Sequence, residues 1–312
     1  MSRTRPSDRT ILIAGPTASG KSALALALAG RLGGVVINAD SMQVYRELRI
    51  LTARPSDEDE ARAPHRLYGH VPASEAYSAG RFVREAAIEI AGARSHGLVP
   101  IVVGGTGLYF KALLEGLSPI PPVADEIRTH WRRLEQERGA SALWDILNRD
   151  DPEMAARLSP NDSQRIVRAL EVLDATGRSL ADWQRTPGVP VVPAEATVRF
   201  VVSPDIETLD RRIDTRFDAM MAEGAVDEVA RLLALGLDPA LPAMRALGVR
   251  PLAAMLAGSL SRDAAVAQAQ TETRQFTKRQ RTWLRGHMMS WNWLLTQQME
   301  SQMAESMMFI DP

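Results

Sequence analysis

The segment Gly15-Pro16-Thr17-Ala18-Ser19-Gly20-Lys21-Ser22 constrains this chain more than any other. It fits the spacing G-x-x-x-x-G-K-[ST]. It lies between an apolar, β-branched run at residues 10–14 and an alanine- and leucine-rich stretch at 22–31, which Gly33-Gly34 stops. A strand, a glycine-rich turn and a helix in that order make a phosphate loop. The glycines let successive backbone amides turn toward one anion, and the helix N-terminus adds partial positive charge. Lys21 then neutralises a terminal phosphate, and the Ser22 hydroxyl is placed to ligate Mg²⁺. Lys21, Lys111 and Lys278 are the lysines among 37 basic residues, so the one inside the loop carries extra weight. Polyphosphate binding by Gly15 through Ser22 follows; which polyphosphate does not.

Further short apolar runs at 35–37, 98–103 and 198–202 alternate with helical patterns such as 82–93. This predicts the α/β class: a P-loop NTPase-like parallel sheet flanked by helices. Between about 119 and 193 the character changes. Pro119, Pro121 and Pro122 open a stretch that Pro187, Pro190 and Pro193 close, with helical patterns at 127–138, 142–148 and 164–175 and no strand. The expected organisation is a core over 1–120, a helical insertion domain at 121–190, a continuation with basic C-terminal helices at 191–285, and a tail at 286–312. The alternative is two successive domains. The late strand at 198–202 favours insertion, because it should rejoin the sheet. The tail holds six methionines and two tryptophans without a clear period.

Composition removes several classes of function. Hydrophobic residues make up 45% and charged residues 24%, and the formal charge is −1. That is globular, and it excludes a uniformly basic nucleic-acid coat. The absence of cysteine excludes disulfides, thiolate zinc sites and cysteine nucleophiles. No apolar run reaches the roughly 18 residues of a membrane span, and the N-terminus lacks the apolar centre of a secretory signal. The expectation is a cytoplasmic protein without membrane contact, monomeric by default.

Asp40 sits at the carboxyl end of the second strand, beside the crevice where ligands bind in such sheets. It can hold magnesium through water, act as a general base, or simply cap a helix. Gly104-Gly105-Thr106-Gly107-Leu108-Tyr109 follows the third strand and places the Thr106 hydroxyl on the same side. Gln164, Arg165 and Arg168 share a helix face whose opposite side carries Ile166 and Val167. In the C-terminal helix Arg274, Lys278, Arg281 and Arg285 recur at spacings of four, three and four. Solvated faces mix signs, so this line suggests a phosphate backbone or acidic partner. Arg245 and Arg250 flank Gly248.

Taken in order, several of these segments resemble the bacterial tRNA dimethylallyltransferases, or tRNA isopentenyltransferases. They are the loop at 15–22, Asp40-Ser41-Met42-Gln43-Val44-Tyr45, Thr52-Ala53-Arg54-Pro55, Pro64-His65-Arg66-Leu67, Gly104 to Tyr109, Asn161-Asp162-Ser163-Gln164-Arg165, and Thr273-Arg274-Gln275 with Lys278-Arg279-Gln280. The resemblance covers residues 11–285. It implies that the loop holds dimethylallyl diphosphate, and that the exocyclic amine of the adenine 3′ to the anticodon attacks the allylic carbon as pyrophosphate leaves. By resemblance Asp40 is the general base. Lys21, Arg216 and Ser22 with Mg²⁺ stabilise the departing diphosphate, and Thr106 contacts the substrate near it. The adenine must be flipped out of its stack. The resemblance places contacts to the tRNA anticodon stem-loop at Asp40, Ser41, Met42, Gln43, Thr106, Arg128, Gln164, Arg165, Ile166, Val167, Arg168, Arg245, Arg250, Arg274, Lys278 and Arg281.

One departure stands out: Arg54 replaces a lysine usual in the family, and the two are not interchangeable at a phosphate. Two other functions fit part of the pattern. A small-metabolite kinase would use ATP on the same loop, but needs neither the insertion nor the basic helix. A non-catalytic RNA-binding module is disfavoured by an intact Lys21, Ser22, Asp40 and Thr106.

Overall fold

The computed structural model describes residues 9–311; residues 1–8, on which the expectation of no secretory leader largely rests, and Pro312 lie outside them. β1 (Thr10–Ala14) runs through the phosphate loop into α1 (Lys21–Leu32), followed by β2 (Gly34–Asn38), α2 (Asp57–Arg62) and a two-residue β3 (His65–Arg66). Next come α3 (Ala79–Ser95), β4 (Val99–Gly104) and α4 (Gly107–Glu115). A purely helical stretch holds α5 (Asp125–Asp150), α6 (Pro152–Ala155), α7 (Ser163–Thr176) and α8 (Leu180–Arg185). β5 (Thr197–Val202), α9 (Ile206–Ala222), α10 (Ala225–Ala234), α11 (Val249–Leu256), α12 (Arg262–His287), β6 (Asn292–Leu294) and α13 (Met299–Ile310) complete the order. Ser78, Asp162, Asp205 and Ser261 cap α3, α7, α9 and α12 by accepting a first-turn N–H.

The strands form one parallel sheet in the order β3-β2-β4-β1-β5-β6. Period-two alternation splits their side chains between two cores. Leu12, Ile37, Val102 and Val201 face a core built with α3, α4 and α9 to α12. Ile11, Ile13, Val36, Ile101 and Phe200 face one built with α1 and α13. This double covering explains why the strands read as continuous apolar runs. It also gathers the carboxyl ends of β1, β2 and β4, with their Gly15, Asp40 and Thr106 segments, along one edge.

The tail departs from the sequence reading. Its described residues, 286–311, include β6, which pairs with β5, and α13, which packs on the sheet. Met299, Met303, Met307 and Ile310 make the packing stripe, a helical spacing of four, four and three that passed unread among so many methionines. β3 and β6 were missed because two or three residues are too few to show a period.

The chain divides into two compact units: residues up to Leu114 together with those from Val191 onward, and Glu115–Pro190. The second has its own apolar core, including Leu143, Leu147, Ile166 and Leu170. Within it α5 is one rod broken at Gly139, where φ is 77°, so the patterns expected as two helices run together. At its base Gly116 and Gly188 lie back to back. A Cβ on either would collide with the backbone of the other's segment, so two passing chains touch there with no side chain between them. In the first unit, Val191 N–H donates to Leu113 O at 2.9 Å and Val192 N–H to the same oxygen at 3.2 Å.

Candidate active site

The phosphate loop is curled by left-handed residues at Ala18 (φ 63°) and Gly20 (φ 93°), the alternation that turns amides toward a common centre. A non-glycine residue in that region costs about 1–2 kcal/mol, a strain tolerated where the curvature is used. No side chain caps α1, so its first amides stay available to an anion. Arg212 Nη1 donates to Ser19 O at 3.2 Å and braces the loop from α9. Lys21 Nζ donates to Pro16 O at 3.2 Å. Burial pulls its pKa down to about 8, with Arg216 adding to the drop and Asp40 opposing it.

Asp40 is set by a small network. Its N–H donates to Asn38 Oδ1 at 2.8 Å, while Asn38 Nδ2 donates to Leu67 O at 3.0 Å and Asp40 O at 3.0 Å. Asp40 Oδ1 accepts the Met42 N–H at 2.9 Å, so one oxygen caps a turn; no helix follows Asp40, which sets aside its reading as a helix cap. The other oxygen has no hydrogen-bond donor among the described residues and remains for chemistry. Thr106 Oγ1 accepts the Ser41 N–H at 3.0 Å, which leaves its own proton free to donate.

Lys21, Ser22, Asp40, Thr106 and Arg216 all line one cavity of about 470 Å³ in the first unit. Arg216, from α9, has no hydrogen-bond acceptor among the described residues. Burial lowers its pKa from the ordinary arginine value, against the pull of Asp40. Two cations held this way, with their desolvation only partly compensated, make a receptor for a multivalent anion. The same cavity is lined by Ile213, Phe217, Met220, Leu247 and Phe276, which supply apolar surface. Ser22 is exposed at the loop, and its hydroxyl makes no hydrogen bond among the described residues. Among the described residues no group of three or more His, Asp or Glu could enclose a metal ion. A divalent ion at Ser22 would therefore take most of its ligands from phosphate and water, the habit of Mg²⁺.

The remaining predicted contacts divide. Ser41, Met42, Gln43 and Arg245 line the cavity, although Gln43 Nε2 is committed to the carbonyls of Thr52 and Ala53 at 2.8 and 2.9 Å. Arg250 is exposed on α11 but does not line it. In the second unit Gln164, Arg165 and Arg168 share the outer side of α7. Arg165 pairs with Asp162 at 2.6 Å, Arg168 with Glu171 at 3.4 Å, and Arg128 with Asp125 at 3.3 Å. Ile166 and Val167 need correction: their side chains pack into the core of that unit, because the amphipathic period that exposes Arg165 turns them inward.

The α12 line needs correction too. Arg274 is half-buried and ion-paired with Asp214 on α9. Arg281 is also half-buried, its pKa lowered by burial and by Arg285 while Asp205 and Asp210 oppose the shift. Lys278 and Arg285 stand exposed. The one-sign line was visible along α12, but its acidic complement lies on another helix. Arg54, in place of the usual lysine, sits over Gly69 and donates to the carbonyls of Tyr45 and Arg46, each at 3.3 Å.

The sequence model described as "IPP transferase" matches residues 43–287, and that of "Isopentenyl transferase" matches residues 9–73. The chain belongs to the IPP transferase family. A tRNA dimethylallyltransferase of Parvibaculum lavamentivorans is 51% identical over 308 residues, covering 99% of this chain and 98% of that one. One from Rhodopseudomonas palustris is 54% identical over 286 residues, 92% of this chain and 90% of its own. Among solved structures, a full-length tRNA isopentenylpyrophosphate transferase from Bacillus halodurans superposes with a TM-score of 0.69 at 31% identity, covering 97% of this chain and 95% of that one. A eukaryotic dimethylallyltransferase acting on tRNA gives a TM-score of 0.76 at 29% identity, covering 88% and 69% respectively.

The IPP transferase site also depends on residues to which the sequence reading gave no role, although Gln280 lies in one of the segments quoted for the resemblance. Glu228 on α10 is buried and accepts the N–H groups of Arg49, Ile50 and Leu51 at 2.6, 2.7 and 2.9 Å. It thereby fixes the turn that presents Thr52 and Ala53 to the cavity. Gln280 lies on the buried side of α12 with Thr273, Thr277 and Leu284. Polar residues recurring on a buried helical stripe were the available signal.

Proposed function

We propose that this chain transfers a dimethylallyl group from dimethylallyl diphosphate to the exocyclic N6 amine of the adenosine 3′-adjacent to the anticodon of tRNA, releasing pyrophosphate. The observation that carries this reading is the mixed lining of one cavity. Its phosphate loop and buried cations suit a diphosphate, and its apolar side chains suit a five-carbon allylic chain. The adenine amine attacks the allylic carbon, its proton passes to the free oxygen of Asp40, and the carbon–oxygen bond to the diphosphate breaks. Lys21, Arg216 and the α1 amides receive the negative charge that develops on the leaving group. The Thr106 hydroxyl donates into the same region. Bound at Ser22, Mg²⁺ would supply charge neutralisation to the diphosphate.

The tRNA contacts are assigned to the exposed cations: Lys278 on α12, Arg245 at the cavity, and the Gln164, Arg165 and Arg168 face of the helical unit. Phosphates position a single-stranded loop, and polar side chains read its splayed bases. On this reading the reaction is cytoplasmic, where its tRNA substrate is, and the chain acts as a monomer. No described helix is long and apolar enough to cross a membrane.

The deciding assay incubates labelled dimethylallyl diphosphate with unmodified tRNA and Mg²⁺, beside a parallel ATP hydrolysis reaction. Label should appear in the anticodon loop and vanish with Lys21→Ala or Asp40→Ala. Phosphate release from ATP without label transfer would establish a kinase instead.

A further inference from the structure

A buried primary amide is costly unless both its ends are bonded. Gln280 is 7% exposed, and both ends are used across great distances in sequence. Its Oε1 accepts the Thr17 N–H of the phosphate loop at 2.9 Å, and its Nε2 donates to Gly105 O at 3.0 Å. Neither bond serves α12 itself. A Cβ at residue 105 would collide with Gln280 Nε2, so the glycine and the amide are matched.

The bonds continue past Gln280. The peptide group that accepts at Gly105 O donates at its other end, from Thr106 N to Ala39 O at 3.2 Å. Ala39 leads directly into Asp40, and the Ser41 N–H returns to Thr106 Oγ1 at 3.0 Å. Hydrogen bonds therefore join the loop that grips the leaving group to the backbone on either side of Asp40, at Ala39 and Ser41, and Gln280 is the side chain that reaches into this run from α12. Such chains polarise one another and hold their members in a single geometry.

We propose that Gln280 is a positioning residue that fixes the spacing between the phosphate loop and Asp40; this rests on the prenyl-transfer reading above. In that reaction the nucleophile and the departing diphosphate sit on opposite sides of one carbon, so the separation of base and loop sets the attack geometry. A displacement of about 1 Å can cost roughly 10²-fold in rate. Gln280 meets tRNA and diphosphate through the elements it holds, so its loss acts on kcat. Glutamine suits the position because donor and acceptor point opposite ways; a methionine would fill the space and bond neither.

The test compares Gln280→Met and Gln280→Glu with the unaltered enzyme, measuring kcat, KM for both substrates and melting temperature from about pH 5 to 8. Gln280→Met should lower kcat roughly 10²-fold with KM for tRNA unchanged, and its ratio to the unaltered enzyme should stay flat with pH. In Gln280→Glu the ionised carboxylate keeps the acceptor, but loses the donor and faces Gly105 O. Once protonated, it regains an O–H donor. Its activity ratio should therefore climb as pH falls, burial moving the titration upward into the accessible range. Lys21 and Asp40 face the same region in all three proteins, and ratios to the unaltered enzyme set aside the pH dependence that all three share. A full kcat in Gln280→Met, or a Gln280→Glu ratio that stays flat, overturns the proposal and leaves Gln280 as packing. An unaltered enzyme that transfers no dimethylallyl group overturns the functional reading itself.

Discussion

Lys21 is held near neutrality by burial, and that gives diphosphate binding a pH signature. With its pKa at about 8, the ammonium is largely present below that pH and lost above it. An anion binds the charged form, so affinity for pyrophosphate should fall as pH rises through 8, by at most about tenfold per unit. Arginine stays charged throughout, so calorimetric titration of Lys21→Arg should show a flatter profile after the ionisation of pyrophosphate is allowed for. For Asp40 the prediction concerns rate. Asp40→Ala should cost about 10²–10⁴-fold in kcat with tRNA affinity intact, because its free oxygen acts only as the proton leaves; an equal loss of binding would make it an adenine-positioning group. Both residues were legible in the sequence, because a strand end and a fixed loop spacing place them. The roles of Gln280, Arg212 and Glu228 were not, because each meets its partner through the tertiary fold: Thr17 lies 263 positions from Gln280. The role of Arg54 was open in the sequence, and its backbone carbonyl contacts show a brace rather than a free cation.

Among the elements, α12 behaves as two helices in one. The side bearing Thr273, Thr277 and Gln280 is buried, while Lys278 looks outward. Lys278→Ala should lower the salt slope of tRNA binding by about one. Arg274→Ala should lower it less, because Asp214 already occupies that guanidinium. Asp214→Asn should accordingly strengthen binding to tRNA, most clearly at low salt, as read by filter binding across a salt series. The acidic line on α9 was present in the sequence, but nothing there could say that it faces α12. At the chain's end, α13 covers the core beside α1 with the Met299, Met303 and Met307 stripe. Met303→Asp should destabilise the fold by ~1–3 kcal/mol without altering pyrophosphate affinity at temperatures where the chain stays folded, a pair of results that thermal melting and calorimetry would separate. The stripe was readable by its helical period; β6, at three residues, was not.

At the scale of the molecule, the contact of Gly116 with Gly188 predicts that residues 117–187 can be excised and the glycines joined. The shortened chain should keep pyrophosphate affinity and lose most of its tRNA affinity; full retention of tRNA binding would remove the helical unit from recognition. The sheet order has a further consequence, for synthesis. Thr10 pairs with Thr197 across β1 and β5, so one flank of the central strand stays unpaired until 187 more residues have been made. At about 5–20 residues per second that interval lasts roughly 10–40 s. Glu115–Pro190 emerges within it carrying its own apolar core, and can close on the ribosome before the sheet is complete. The nascent chain thus passes through a state with a finished insertion and an open β1 edge, the kind of edge that recruits foreign strands. Newly made chains should therefore need chaperone protection most between the emergence of β4 and that of β5.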